Sequence, residues 1–191
     1  MRRHSTSRRL AIALATLLGL AGAVSGEVGV TDGPKGVVVN TRNGKAYAAF
    51  PDLGIVKIVN GVAGPVVTLK TGANVKNLTM DPRSGRVYAM NRGAGTISVI
   101  DPDSDAIVDT LKADRGIAIN TKTNMIYVVN THANSVSVID GRANTVAATV
   151  PADKGPWAVA VNPASNMIYV ANRLSDRVTV IDGRTNRAVQ R

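Results

Sequence analysis

Four residues recur at one phase of the chain and together could hold an anion. Lys35, Lys76, Arg115 and Trp157 each stand five positions before an Asx residue, namely Asn40, Asp81, Asn120 and Asn162. Three cations beside the single tryptophan of the chain offer charge-assisted donors to an anionic group and a flat face to a base, sugar or quinone. Arg92, His132 and Arg173 fall in loops on the same side of the repeats and add donors there. The expected ligand-binding set is Lys35, Lys76, Arg115 and Trp157, with no catalytic residue, metal or cofactor assigned.

Other chemistries lack their residues. With 0 Cys, disulfide frameworks, thiolate zinc sites and cysteine nucleophiles are excluded. Of the 2 His, His4 lies in the basic head described below and His132 is left alone, so a multi-His metal site cannot form within one chain. Asp101, Asp103 and Asp105 alternate as in a calcium loop but lack the following Gly and the distal Glu, and they sit in a turn beside Pro102. No nucleophile elbow surrounds a serine, and Gly93 and Gly95 lie between strands with no helix to follow, so they cradle no phosphate.

The elements that must position the four residues are repeats. Tyr47, Tyr88, Tyr127 and Tyr169 are separated by 41, 39 and 42 residues. Each is preceded at seven residues by the Asx already named and followed at 13 by Asn60, Asp101, Asp140 or Asp182. Within a unit lie four short segments rich in Val, Ile and Thr, too short for stable helices. In the third unit they are Gly116 to Ile119, Met125 to Val129, Ser135 to Ile139 and Thr145 to Val150. In the fourth they are Ala158 to Val161, Met167 to Ala171, Arg177 to Ile181 and Arg187 to Gln190.

Turn chemistry separates the segments. Asn40-Thr-Arg-Asn-Gly44, Asp81-Pro-Arg-Ser-Gly85, Asn120-Thr-Lys-Thr-Asn124 and Asn162-Pro-Ala-Ser-Asn166 open on an Asx that can bond nearby backbone. They close on a Gly or Asn that accepts a left-handed conformation. The Asx landmarks therefore need no catalytic role. Four antiparallel strands every ~40 residues is the spacing of a propeller blade. The expected fold is all-β, a β-propeller of about four four-stranded antiparallel blades at approximately 35–70, 75–112, 115–150 and 157–191.

The repeat resembles the YVTN β-propeller family, in Tyr127-Val128-Val129-Asn130 and Tyr169-Val170-Ala171-Asn172, with weaker copies at Tyr88-Ala89-Met90-Asn91 and Tyr47-Ala48-Ala49-Phe50. Ser137-Val138-Ile139-Asp140 and Thr179-Val180-Ile181-Asp182 fit it too. The resemblance covers about residues 28 to 191 and implies about seven blades, where this sequence holds four. Three outcomes are open: a small closed ring, a ring completed by another chain, or an arc with exposed flanks, with Val28 to Val30 available as part of an outer strand. Lactonase-like and quinoprotein-like enzymes are an alternative by analogy with other propellers.

Residues 1–25 read as an export signal, with 26–191 as the repeat domain. Arg2, Arg3, Arg8 and Arg9 precede the apolar run Leu10 to Val24, with Ala21, Ala23 and Ser25 as small exit residues. That run is shorter than the roughly 20 residues that span a bilayer. Without the four arginines the formal charge falls from +10 to 19 − 13 = +6, which weakens a nucleic-acid reading based on the whole chain. The expected protein is an exported, periplasmic or extracellular binding scaffold whose partner is a ligand or protein of unassigned identity. A second copy of the chain counts among its expected partners, and single-stranded nucleic-acid-binding and surface-structural roles are the further alternatives.

Overall fold

The structure, a computed structural model, describes residues 33–61, 64–113 and 115–190. The expected targeting head and Val28 to Val30 lie outside them. The described residues form four four-stranded antiparallel sheets, each with its strands in chain order. Blade 1 holds β1 (Gly36–Val39), β2 (Lys45–Phe50), β3 (Ile55–Asn60) and β4 (Val66–Lys70). Blade 2 holds β5 (Val75–Met80), β6 (Val87–Asn91), β7 (Thr96–Asp101) and β8 (Ala106–Lys112). Blade 3 holds β9 (Ile117–Asn120), β10 (Met125–Asn130), β11 (Ser135–Asp140) and β12 (Thr145–Pro151). Blade 4 holds β13 (Pro156–Asn162), β14 (Met167–Asn172), β15 (Arg177–Asp182) and β16 (Arg187–Gln190). The fold is a β-propeller type of repeat architecture, and the strands expected in blades 3 and 4 are found within one or two residues.

The turns form as their chemistry requires. Asn40, Asp81, Asn120 and Asn162 each accept the amide two residues on at 3.0–3.1 Å, and Gly44, Gly85, Asn124 and Asn166 close the turns with φ between 57° and 75°. Asp101, Asp140 and Asp182 repeat the device in the third turn of their blades.

Stacking explains why the strands read as apolar runs rather than alternations. β6 is buried along its whole length, because blades cover both of its faces, whereas β14 alternates between buried and exposed residues. Three apolar clusters join the blades in series. Tyr47 and Ile58 of blade 1 pack on Val87, Ala89 and Ile100 of blade 2. Tyr88 and Val99 pack on Ile126, Val128 and Ile139. Tyr127 and Val138 pack on Ile168, Val170 and Ile181. Every interface thus sets the tyrosine face of one blade against the opposite face of the next. The Asx turns add polar links: Asn40 Nδ2 donates to Gly85 O at 3.0 Å and Asn120 Nδ2 to Asn166 Oδ1 at 2.7 Å.

Burial also sets the acid–base behaviour of the phenols. Tyr47, Tyr88 and Tyr127 are fully buried. Desolvation raises all three pKa values, that of Tyr88 to about 12 with Asp81 reinforcing the shift and Arg86 opposing it. The folded chain therefore holds phenolic protons that the unfolded chain releases near pH ~10. Stability from this source is complete below that pH and is lost as pH rises towards the folded values. An alkaline titration should show three phenols ionising only together with loss of the strand signal in circular dichroism. Three phenols titrating in the intact fold would contradict the stacking.

Candidate functional site

The strand starts and the loops between second and third strands share one end of every blade. At that end the first strands of blades 1 and 2, and those of blades 3 and 4, come within backbone contact. A Cβ on Gly36 would lie 2.4 Å from the carbonyl oxygen of Lys76, and one on Gly116 would lie 3.3 Å from that of Trp157. Gly36 brings the blade 1 and blade 2 starts together, and Gly116 does the same for blades 3 and 4.

Two of the four candidate residues are aimed by bulges. In blade 4 Pro156 pairs with Asn172 and Ala158 with Ala171, leaving Trp157 outside the ladder. In blade 2 Val75 pairs with Asn91 and Asn77 with Met90, leaving Lys76 outside. A bulge turns the extra side chain away from the regular faces of the sheet. The loop before Trp157 is held from both sides. Asn134 Oδ1 accepts the Gly155 amide at 2.9 Å, and Gly155 O accepts the Arg173 amide at 2.8 Å. Gly155 itself has φ 65° and packs under Leu174, a combination only glycine takes without strain.

This framework brings Arg115 and Trp157 together. The Arg115 guanidinium carbon stands 4.3 Å from the indole centroid, and that of Arg173 stands 5.0 Å from it. Two cations thus share one aromatic ring, which remains 38 % exposed. Such contacts favour a guanidinium over the ring face. A cleft of about 360 Å³ adjoins the indole, with Ala171 and Val178 as apolar lining and Arg173, Asp176 and Arg177 around it. Arg177 is also 3.8 Å from Asp153 across a solvent-exposed gap, a pair of small energetic value.

The remaining candidates stand elsewhere. Lys35 and Lys76 are exposed at the starts of blades 1 and 2, adjacent to each other through Gly36, and His132 is exposed on the blade 3 loop. Arg92 is half-buried, its amide bonded to Asn74 O at 3.2 Å. Of the three loop residues Arg92, His132 and Arg173, it is Arg173 that reaches the tryptophan. Its proximity depends on the loop clamp at Gly155, which spacing alone does not reveal.

The acidic turn is satisfied by protein groups. The Ser104 amide, with help from that of Asp103, holds the Asp101 carboxyl below the ordinary carboxylate range. Lys45 Nζ lies 2.8 Å from both oxygens of Asp105. Among the described residues no group of three or more His, Cys, Asp or Glu side chains is placed to hold a metal ion.

A polar device missed in the sequence lies behind the loops. Asn91, Asn130 and Asn172 donate to the hydroxyls of Ser98, Ser137 and Thr179, seven residues on, at 2.9–3.0 Å. They pin the end of the second strand to the third and so fix the loop that carries Arg173 in blade 4. Blade 1 replaces the pair with Phe50 and Lys57, whose ammonium stands 5.4 Å from the ring centroid. The constant seven-residue spacing was the signal for it.

No protein-family model matches the chain, and no curated protein matches it. Solved structures do. Kuenenia stuttgartiensis hydrazine synthase is similar at 20 % identity and TM-score 0.69, over 88 % of this chain and 52 % of that one. A putative 6-phosphogluconolactonase from Bacteroides uniformis is similar at 14 % identity and TM-score 0.64, over 81 % of this chain and 52 % of that one. The chain spans about half the length of each. At these identities the likeness is one of fold, and the fold they share with this chain is the β-propeller.

Proposed function

We propose that the chain is an exported binding scaffold of YVTN-type blades, and that it takes an anionic ligand carrying a planar or sugar ring at the Arg115–Trp157–Arg173 edge. The observation that carries this reading is the pair of guanidiniums over one exposed indole beside a cleft. A ring stacked on Trp157 loses little conformational freedom, and an anionic group beside it meets donors that are already positioned. Export rests on the basic and apolar order of residues 1–25.

Trp157 is the sole tryptophan, so the site reports on itself. Adenosine monophosphate and pyrophosphate should each change the indole emission saturably, the nucleotide at lower concentration. Arg173→Ser should weaken both by about tenfold, the value of a lost charge-assisted hydrogen bond. Unchanged affinity in Arg173→Ser and in Arg115→Ser would end the proposal. Lys35→Ser with Lys76→Ser tests whether the first two blades contribute. A single-stranded oligothymidylate titrated at several salt concentrations separates nucleic-acid binding, for which log K should fall with a slope of about −0.7 per phosphate contact.

A further inference from the structure

The turns between first and second strands carry a separate set of cations, at the end of the blades opposite the tryptophan. Arg42, Arg83 and Lys122 each stand two residues after the Asx that opens their turn, and that Asx accepts their backbone amides at 3.0–3.1 Å. Blade 4 has Ala164 at the same place. All three cationic side chains are exposed. They are also strung together. Arg42 Nη1 donates to the backbone oxygen of Arg83, and Arg83 Nη1 donates to that of Lys122 at 3.0 Å. Each guanidinium thus rests on the backbone that carries the next cation, so successive charges stand a side-chain length apart along an arc over three blades.

Backbone oxygens orient these charges without neutralising them. Among the described residues Lys45 is paired with Asp105 at 2.8 Å and Arg184 with Asp182 at 3.1 Å, whereas no carboxylate pairs with Arg42, Arg83 or Lys122. The three turns, residues 40–45, 81–86 and 120–125, contain one acid, Asp81. It is buried, and its oxygens accept the Arg83 and Ser84 amides and the Ser84 hydroxyl. The turns contain no aromatic residue, and Tyr47, Tyr88 and Tyr127 beyond them are fully buried. Single-stranded nucleic acids are held by base stacking as well as by charge, so cations in series without a stacking face suit a chain of anions that carries no bases. We infer that the arc Arg42–Arg83–Lys122 binds a linear acidic polysaccharide, one carboxylate to each cation. A guanidinium meets a carboxylate through charge-assisted hydrogen bonds. One exposed pair is weak, but three on a single ligand chain reinforce each other through effective concentration. The inference is independent of the ligand proposed at Trp157.

Fluorescence anisotropy of end-labelled trigalacturonate with the purified full chain tests it. The expected result is saturable binding that weakens as salt is raised, and that unlabelled trigalacturonate displaces at about a hundredth of the concentration needed with galacturonate. Neutral maltotriose should not compete. Arg83→Ser should weaken binding by about tenfold, Arg83→Lys should recover most of that loss, and Arg42→Ser, Arg83→Ser and Lys122→Ser together should abolish binding. These substitutions keep the backbone amides that form the turns, so the strand signal in circular dichroism should persist. Arg83→Glu alone serves in place of the triple variant should the latter fail to fold. Absence of binding by the unaltered protein overturns the inference, as does galacturonate competing as well as the trimer, or binding that survives both the triple variant and Arg83→Glu. So does an oligothymidylate that competes at lower concentration than trigalacturonate, since the arc would then be a nucleic-acid site.

Discussion

Tyr88→Ala should lower the unfolding free energy by about 3–5 kcal/mol, the usual cost of deleting a buried aromatic ring, while Tyr169→Ala should change it by less than about 1 kcal/mol in the single chain. The two residues hold the same place in their repeats and have the same neighbours in sequence type. They differ in that Tyr88 lies between Met90 and Ile97 of its own blade and Ile126, Val128 and Ile139 of the next, fully buried, whereas Tyr169 is 43 % exposed. Tyr127→Phe offers a finer contrast. The Tyr127 hydroxyl is buried with no protein group in hydrogen-bonding geometry among the described residues, so removing it leaves packing intact and relieves a desolvated polar atom. The expected change is small and of either sign, within about 1 kcal/mol. Denaturant unfolding of the three variants checks the ranking. Equal losses at Tyr88 and Tyr169 would mean that blade 4 is covered in the folded chain.

Most of the fold was legible because the repeat fixes it locally. An Asx opening a turn and a Gly or Asn closing it act within five residues, and their bonds and positive φ values appear where the sequence puts them. The candidate site was legible only in part. Arg115 and Trp157 meet because Gly116 lets the two strand starts approach, a contact that a shared phase in neighbouring repeats permits but does not specify. Lys35 and Lys76 share the same phase, but phase gives height along a strand and not direction around the arc. The bulges at Lys76 and Trp157 come from loops clamped by the neighbouring blade, a tertiary cause with no local signature. Tyr169 matches its three buried counterparts in local sequence, so its exposure follows from its place in the last described blade, one of the outcomes left open by a count of four blades, and not from any local signature.

Gly36→Ala should cost about 1–3 kcal/mol, in the range of overpacked interiors, although Gly36 has an ordinary backbone conformation and alanine suits a strand better. The reason is space. The new Cβ would lie 2.4 Å from Lys76 O, a backbone atom in the first strand of the next blade, and backbone cannot rotate aside as a side-chain tip can. The first strands of blades 1 and 2 must then part, and the contacts of Val38 and Leu78 with the cluster between the blades loosen with them. Two further substitutions grade the effect. A Cβ at Gly116 would meet Trp157 O and the Ala158 Cα at 3.3 Å, a tight contact that shifts of a few tenths of an ångström relieve, and at Gly33 it would meet nothing within 4 Å. Losses should therefore fall in the order Gly36→Ala, Gly116→Ala, Gly33→Ala, with the last near zero. Gly116→Ala should in addition alter the Trp157 emission, because it presses on the strand that carries the indole, whereas Gly36→Ala should leave that emission unchanged. A reversed order of stabilities would show that blades 1 and 2 do not approach at their first strands.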